Sequence, residues 1–266
     1  MVDNNIIAII RARMNSTRLP KKMMMPIIDG KSALEVMINR VQSVELINKI
    51  IVATTEHPDD DDIVRVSSKN GCYVFRGSEE NVLDRCYQAA LPHQPCDGIV
   101  ILTGDCLLLD INITNEIIRY YLNSDFDYVS NNNVPTTYPD GLDVEICNFE
   151  TLEKIWKGAA TRAEKEHITF YLQKPENAHR FKKMNLKYKD DLSSKGWCLD
   201  TPEDLEFIKI VYDRLYHKNN KFGMNDILAL LGKEPDIEKI NQKQTQNQWR
   251  DNSIKEDKVK EKVEEF

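Results

Sequence analysis

Ile6-Ile7-Ala8-Ile9-Ile10, followed without a break by Arg11-Ala12-Arg13-Met14-Asn15-Ser16-Thr17-Arg18-Leu19-Pro20-Lys21-Lys22, is the stretch from which the fold can be read. Five consecutive apolar residues, most of them β-branched, predict a strand covered on both faces. Working outward, Ala33, Leu34, Met37, Val41 and Val44 recur at helical spacing, and Ile50 to Thr54 repeats the buried-strand pattern. Asp59 to Asn70 suits a short helix whose first turn is crowded with acids, which favour the positive end of the helix dipole. Cys72 to Phe75 is a third strand, Glu79 to Leu91 a helix, and Ile99 to Leu102 a fourth strand. Strands separated by helices of about a dozen residues predict βαβ units, hence an α/β fold with a mostly parallel sheet and helices on both faces. Right-handed crossovers then gather the carboxyl ends of the strands on one edge, where ligands of such sheets bind.

The second half of the chain is less regular. Ile113 to Leu122 reads as a helix and Asp127 to Ser130 as a strand. Asp143 to Cys147 alternates with period two, which predicts a half-exposed and antiparallel strand, so the sheet is expected to be mixed. Trp197 to Asp200 reads as a short strand that ends just before a helix start, with Thr201 as cap, Pro202 at the first position and acids in the first turn. From Asn241 onward the chain turns polar and charged, so residues 1–240 are expected to form one domain and 241–266 a disordered or weakly held helical tail. The alternative for the tail is a helix that binds a partner, for example across a homodimer.

Composition narrows the function. The 266 residues carry 36 Lys and Arg against 43 Asp and Glu, a formal charge of −7. That balance argues against general nucleic-acid binding and against an anionic membrane surface, both of which need net positive charge. No apolar run approaches the roughly 20 residues that span a bilayer, and no secretory signal is evident, so a cytoplasmic enzyme is expected. The six cysteines show no C-x-x-C pair and read as reduced thiols, mostly core fillers.

Against this acidic background the segment Arg11 to Lys22 holds five cations and two hydroxyls, and no acid occurs from Asn4 to Ile28. Placed at the carboxyl edge of the first strand, it is suited to cradle an anion: Arg offers forked hydrogen bonds to phosphate oxygens, Lys a mobile charge, Ser and Thr hydroxyl donors. Neither G-x-x-x-x-G-K-[ST] nor G-x-G-x-x-G occurs, so the phosphate site is neither a P-loop nor a Rossmann dinucleotide turn. Thr103-Gly104-Asp105-Cys106 follows the fourth strand, where a carboxylate opposite a phosphate cradle can hold Mg²⁺, although an Asp there is often only a turn residue. Asp200 is a second such carboxylate, and spacing alone does not bring it to Asp105. Tyr138-Pro139-Asp140-Gly141-Leu142-Asp143-Val144-Glu145 combines a turn signal with a hydroxyl and three carboxylates, a set suited to hydroxyls of a second substrate. Glu166-His167 falls in a helical stretch, and His57, His93, His179 and His217 show no metal-ligand spacing.

R-x-R-x-x-S-T-R-L-P-x-K, T-G-D-C, Y-P-D-G-L-D-V-E, E-H and L-D-T-P-E-D-L-E, in that order across roughly Ile6 to Tyr216, resemble the cytidylyltransferases. The resemblance is nearest to the spore-coat polysaccharide biosynthesis protein F group and extends to the ketodeoxyoctonate and acylneuraminate cytidylyltransferases. It implies a nucleotide-diphospho-sugar transferase fold and transfer of CMP from CTP to a small anionic acceptor, a 2-keto sugar acid in the first instance, with Mg²⁺ as cofactor. It implies catalytic roles for Lys22, Arg13 and Arg18, and Mg²⁺ on Asp105 and Asp200. Nucleotide contacts are expected from Arg11 through Arg18, from Lys22, and from Thr54, Ser78 and Glu79. Acceptor contacts are expected from Tyr138, Asp140, Asp143, Glu145, Glu166 and His167. A phosphonate or phosphate acceptor, a glycosyltransferase-like enzyme and an inactive nucleotide-binding module remain alternatives. Three departures stand out: the family pattern has Gly where Asn15 and Lys21 stand and Pro where Leu107 stands. Asn tolerates left-handed backbone angles, so Asn15 is expected to keep the turn.

Overall fold

Nine strands are present in the computed structural model, which describes residues 4–167 and 170–242. They are β1 (Ile6–Arg11), β2 (Pro26–Ile28), β3 (Lys31–Ser32), β4 (Lys49–Thr55), β5 (Tyr73–Gly77), β6 (Gly98–Thr103), β7 (Tyr128–Ser130), β8 (Glu145–Cys147) and β9 (Lys183–Asn185). Seven form one sheet in the order β5-β4-β1-β6-β8-β7-β9, and β2 and β3 make a separate antiparallel pair. Within the large sheet only β8 runs against its neighbours, β6 and β7. The expected mixed, mostly parallel sheet is therefore present.

The unbroken apolar run of β1 has a direct cause. Ile6, Ala8 and Ile10 point into one core and Ile7 and Ile9 into the other, so neither face of the strand meets water. The first core lies under α1 (Ala33–Gln42), α2 (Asp61–Lys69) and α4 (Ile111–Leu122), the second under α3 (Val82–Ala90) and α5 (Phe149–Gly158). After α6 (Arg162–Glu166) and α7 (Phe170–Gln173), α8 (Pro202–Leu215) and α9 (Met224–Lys233) join the first core, and α10 (Pro235–Lys239) closes the described chain. The start of α8 follows the sequence: Thr201 and Asp204 form a capping box around Pro202.

Three expectations need correction. The strand predicted over Asp143 to Cys147 is confined to Glu145–Cys147 and is buried rather than half-exposed, because Ile146 and Cys147 enter opposite cores. Trp197 to Asp200 is loop: Gly196 makes one isolated parallel bridge with Asp140 and the chain then bends toward the α8 cap. The helix expected from Glu79 starts at Val82, because the side chain of Asn81 accepts the backbone N–H of Asp84 and caps it there. Of the polar tail, residues 243–266 lie outside the described residues. Asn241 is buried, and its amide donates to Gly196 O (2.7 Å) and Asp204 Oδ1 (3.1 Å), so the packed chain extends past residue 240. Among the described residues no helix is long and apolar enough to cross a membrane.

Candidate active site

The basic loop leaves β1 at the carboxyl edge of the sheet and folds on itself. Met14 O accepts the backbone N–H groups of Ser16 and Lys21, both at 3.0 Å. The one left-handed residue in the loop is Lys21, at φ 59°, so the turn falls there and not at Asn15. Lys21 thus holds a backbone state that a non-glycine residue occupies at a cost of about 1–2 kcal/mol. A buried carboxylate fixes the loop to the neighbouring strand. Asp60 accepts from Met14 N (2.7 Å), Thr54 Oγ1 (2.8 Å), Thr55 N (2.9 Å) and Thr55 Oγ1 (2.5 Å). Burial alone would raise its carboxyl pKa, but these hydrogen bonds outweigh it and hold the group below its ordinary value.

The loop meets the end of β6 closely. Gly104 N donates to Arg11 O at 2.8 Å, and a Cβ at Gly104 would stand 2.8 Å from that same oxygen, which explains the glycine of T-G-D-C. Arg11 Nη2 donates to Thr103 Oγ1 (2.7 Å). Lys22 then reaches across to the loop before α8: its Nζ donates to Asp105 Oδ2 (2.7 Å), Leu199 O (2.8 Å) and Asp200 Oδ1 (2.9 Å). Arg18 Nη2 lies 2.7 Å from Asp200 Oδ2. Burial of Lys22 works against its charge, yet Asp105 and Asp200 overcome this and hold the ammonium above its usual pKa. Asp105 is partly buried, and the Lys22 ammonium holds its carboxyl below the ordinary range. Asp105 and Asp200, far apart in sequence, thus face a single cation.

These groups border a cleft of about 370 Å³. Every loop residue expected to bind nucleotide lines it except Met14, whose side chain is buried in the core and whose backbone groups are taken by Asp60, Ser16 and Lys21. Asp105, Asp200, Asp140, Asp143, Glu145, Glu166 and His167 line the same cleft. Four further expected residues lie off it. Thr54 is fully buried with its hydroxyl on Asp60, Ser78 accepts from Asn81 N, Glu79 pairs with Arg13 at 3.5 Å, and Tyr138 is buried against Tyr188. The Pro-Asp-Gly turn packs against the chain before Asp200: Asp140 N donates to Lys195 O and Trp197 N to Asp140 O. Gly141, at φ 103°, leaves no room for a Cβ, which would stand 2.6 Å from the Trp197 carbonyl carbon. Tyr128 donates to Glu145 Oε1 (2.8 Å) from below the acidic wall. Leu107, where the family has Pro, is fully buried, and its carbonyl accepts from Tyr212 Oη (2.6 Å).

Sequence reasoning missed three contributors. Arg85, 3% exposed, lines the cleft from α3; its Nη1 donates to Ser78 O (2.7 Å), and its Nε, like that of Arg11, has no hydrogen-bond partner among the described residues. Burial, with Arg11 and Arg13 nearby, pushes its guanidinium pKa down. An arginine between buried Leu83 and Cys86 was the available signal. Asp60 looked like one more acid in a helix first turn. Cys106 and Cys198 meet in the cleft with sulfurs 3.8 Å apart, and no spacing rule joins positions so distant.

The family model for cytidylyltransferases matches residues 7–230. An uncharacterised protein of Methanocaldococcus jannaschii is 35% identical over 92% of this chain and 98% of its own length. The spore coat polysaccharide biosynthesis protein SpsF of Bacillus subtilis is 29% identical over 88% of this chain and 96% of its own. The solved structure of a cytidylyltransferase from Leptospira borgpetersenii superposes with a TM-score of 0.82 at 32% identity, covering 91% of this chain and 98% of that one.

Proposed function

Because the chain belongs to the cytidylyltransferase family and so is a nucleotidyltransferase, we propose that it transfers CMP from CTP to a small anionic acceptor, a 2-keto sugar acid in the first instance, and releases pyrophosphate. The observation that carries this reading is the contact of Lys22, the last cation of the basic loop, with Asp105 and Asp200. It joins a wall suited to phosphate and a pair of carboxylates suited to a divalent cation on the floor of one cleft.

The donor set fits Mg²⁺. Two carboxylates already converge on a cation, and Mg²⁺ is commonly held by one or two carboxylates together with substrate phosphates. Asp105 and Asp200 would hold it, and its chemistry there is neutralisation of charge on the α-phosphate and the incoming oxygen. Arg13 and Arg18, both exposed at the rim, present forked donors to the β- and γ-phosphates, and Ser16 and Thr17 add hydroxyl donors. Lys22, on a long flexible stem, exchanges carboxylate partners for phosphate oxygens and meets the charge that grows on departing pyrophosphate. Transfer of this kind depends mainly on positioning and charge neutralisation. Asp140, Asp143, Glu145 and Glu166 repel the triphosphate and accept hydrogen bonds from acceptor hydroxyls. The Nε of Arg85, which finds no hydrogen-bond partner among the described residues, suits the acceptor's own anionic group and keeps a phosphonate or phosphate in contention as its source.

The experiment is pyrophosphate release from CTP, UTP, GTP and ATP against a panel of 2-keto sugar acids, phosphonates and sugar phosphates. The reading expects release from CTP, in the presence of Mg²⁺, with one acceptor class. Release from another nucleotide in preference to CTP, or from none with any acceptor, overturns it.

A further inference from the structure

Cys106 and Cys198 are not core fillers like the other buried thiols. Each flanks a loop that carries one of the paired carboxylates, and both open on the cleft. Their sulfurs stand 3.8 Å apart. Cys106 Sγ is 3.8 Å from Asp105 Oδ1, and Cys198 Sγ is 3.7 Å from Asp140 Oδ1. One donor atom from each of Asp105, Cys106 and Cys198 lies within 4.8 Å of the other two.

The sulfur–sulfur separation equals an edge of a tetrahedron around zinc, the Asp105–Cys106 separation lies close to one, and the Asp105–Cys198 edge is within 4.8 Å, near enough for a bound ion to draw it in. With Zn–S near 2.3 Å and Zn–O of about 2.0–2.2 Å, tetrahedral angles place two sulfurs about 3.8 Å apart and a sulfur and an oxygen about 3.5–3.7 Å apart. The set is also chemically distinct from the one proposed for Mg²⁺, which takes oxygen ligands; two sulfurs select a soft or borderline cation. Lys22 does not obstruct it, because Lys22 holds Asp105 Oδ2 while the sulfur lies beside Oδ1. The surrounding carboxylates, Asp105, Asp140 and Asp143, give the pocket the sign that attracts a cation.

We propose that Asp105, Cys106 and Cys198 form a zinc-binding site at the edge of the cleft, with Asp140 or water completing the coordination. Binding exchanges two thiol protons for the metal: Zn²⁺ and two R–SH give Zn(SR)₂ and two H⁺, with no change of oxidation state. The metal ties the loop after β6 to the loop before α8 and, on the reading above, holds Asp105, one of the two carboxylates assigned to Mg²⁺. The binding itself does not rest on that reading, because it is measured without nucleotide or acceptor.

The test uses the full chain, reduced and freed of metal, titrated with Cd²⁺ as a spectroscopic stand-in for zinc. The expected result is one equivalent taken up with a thiolate-to-metal charge-transfer band in the ultraviolet, displaced by Zn²⁺ and not by excess Mg²⁺. Cys198→Ser and Cys106→Ser should each lose the band and weaken binding by about a hundredfold or more, since even outer partners of metal ligands contribute 10–100-fold. Cys72→Ser, altered at a distant thiol, should bind like the unaltered chain. Absence of the band in the reduced chain overturns the proposal, and this arm needs no variant to fold. Survival of the band in both Cys198→Ser and Cys106→Ser overturns it equally, as does displacement by Mg²⁺.

Discussion

Apart from Arg85 on α3, the basic wall of the cleft is one continuous segment, Arg11 to Lys22, whereas the acidic wall is gathered from Asp105, the Asp140–Glu145 turn, Glu166 at the end of α6 and Asp200 before α8. The first is shaped by local bonds, Met14 O to Ser16 and Lys21, and is anchored at its middle by Asp60 and at its start by Gly104 and Thr103. The second exists only because tertiary structure assembles it, through Gly141 pressed on Trp197, Asp140 bridged to Gly196 and Leu199 N donating to Asp105 O. Lys22 is the point where they touch. The contrast assigns phosphate handling to the continuous wall and acceptor handling to the assembled one, and substitutions on each side should separate.

Lys22→Ala removes the joint and should have the largest effect of these. Turnover is expected to fall by about a hundredfold or more, the size of a single electrostatic contribution to a transition state, with CTP affinity less affected. Pre-steady-state rates with measured CTP binding check this; unchanged turnover in a folded variant removes Lys22 from the mechanism. Asp140→Asn should raise the acceptor's KM several-fold and leave that of CTP nearly unchanged. Tyr138→Phe sharpens the comparison, because a buried ring packed on Tyr188 predicts that both constants stay close to their original values. A shift in the CTP constant alone, for either substitution, would assign this turn to the nucleotide side.

The same contrast sets what was legible in the sequence. The strands β1, β4 and β6, the basic loop and the α8 cap carry their signals in adjacent residues, and the structure has them where expected. Asp105 and Asp200 were each visible as strand-edge carboxylates, but their convergence on one ammonium was not, because no local pattern encodes a contact between distant loops. Arg85 and Asp60 hid inside helical segments whose amphipathic pattern already accounted for them. Thr54 was misplaced for the complementary reason: a hydroxyl at a strand end looks available until a buried carboxylate is found to take it.

Two smaller effects probe how the basic wall is held. Asp60→Asn keeps one acceptor oxygen and turns the other into a donor, so either Met14 N or the two threonines lose their acceptor and stability should fall by about 1–3 kcal/mol. Because the folded-state carboxyl is held below its ordinary value, its contribution is complete above the unfolded pKa and is lost as pH falls through the folded one. Denaturation midpoints across the acidic range should therefore fall less steeply in Asp60→Asn; an identical acid limb would show that Asp60 carries no such linkage. Lys21→Gly relieves a left-handed backbone and should raise stability by up to about 1 kcal/mol. A lower melting temperature would mean that the Lys21 side chain, exposed in the structure, contributes more than its backbone costs.

The central claim is that Asp105 and Asp200 act as one unit facing Lys22, and a double-mutant cycle in turnover tests it most directly. Asp105→Asn and Asp200→Asn are each expected to remove most of the activity, and the double variant to be little worse than either, since residues that serve one site are not additive. Losses that add in full would mean that the two carboxylates do separate work, and the two walls would not meet where the structure joins them.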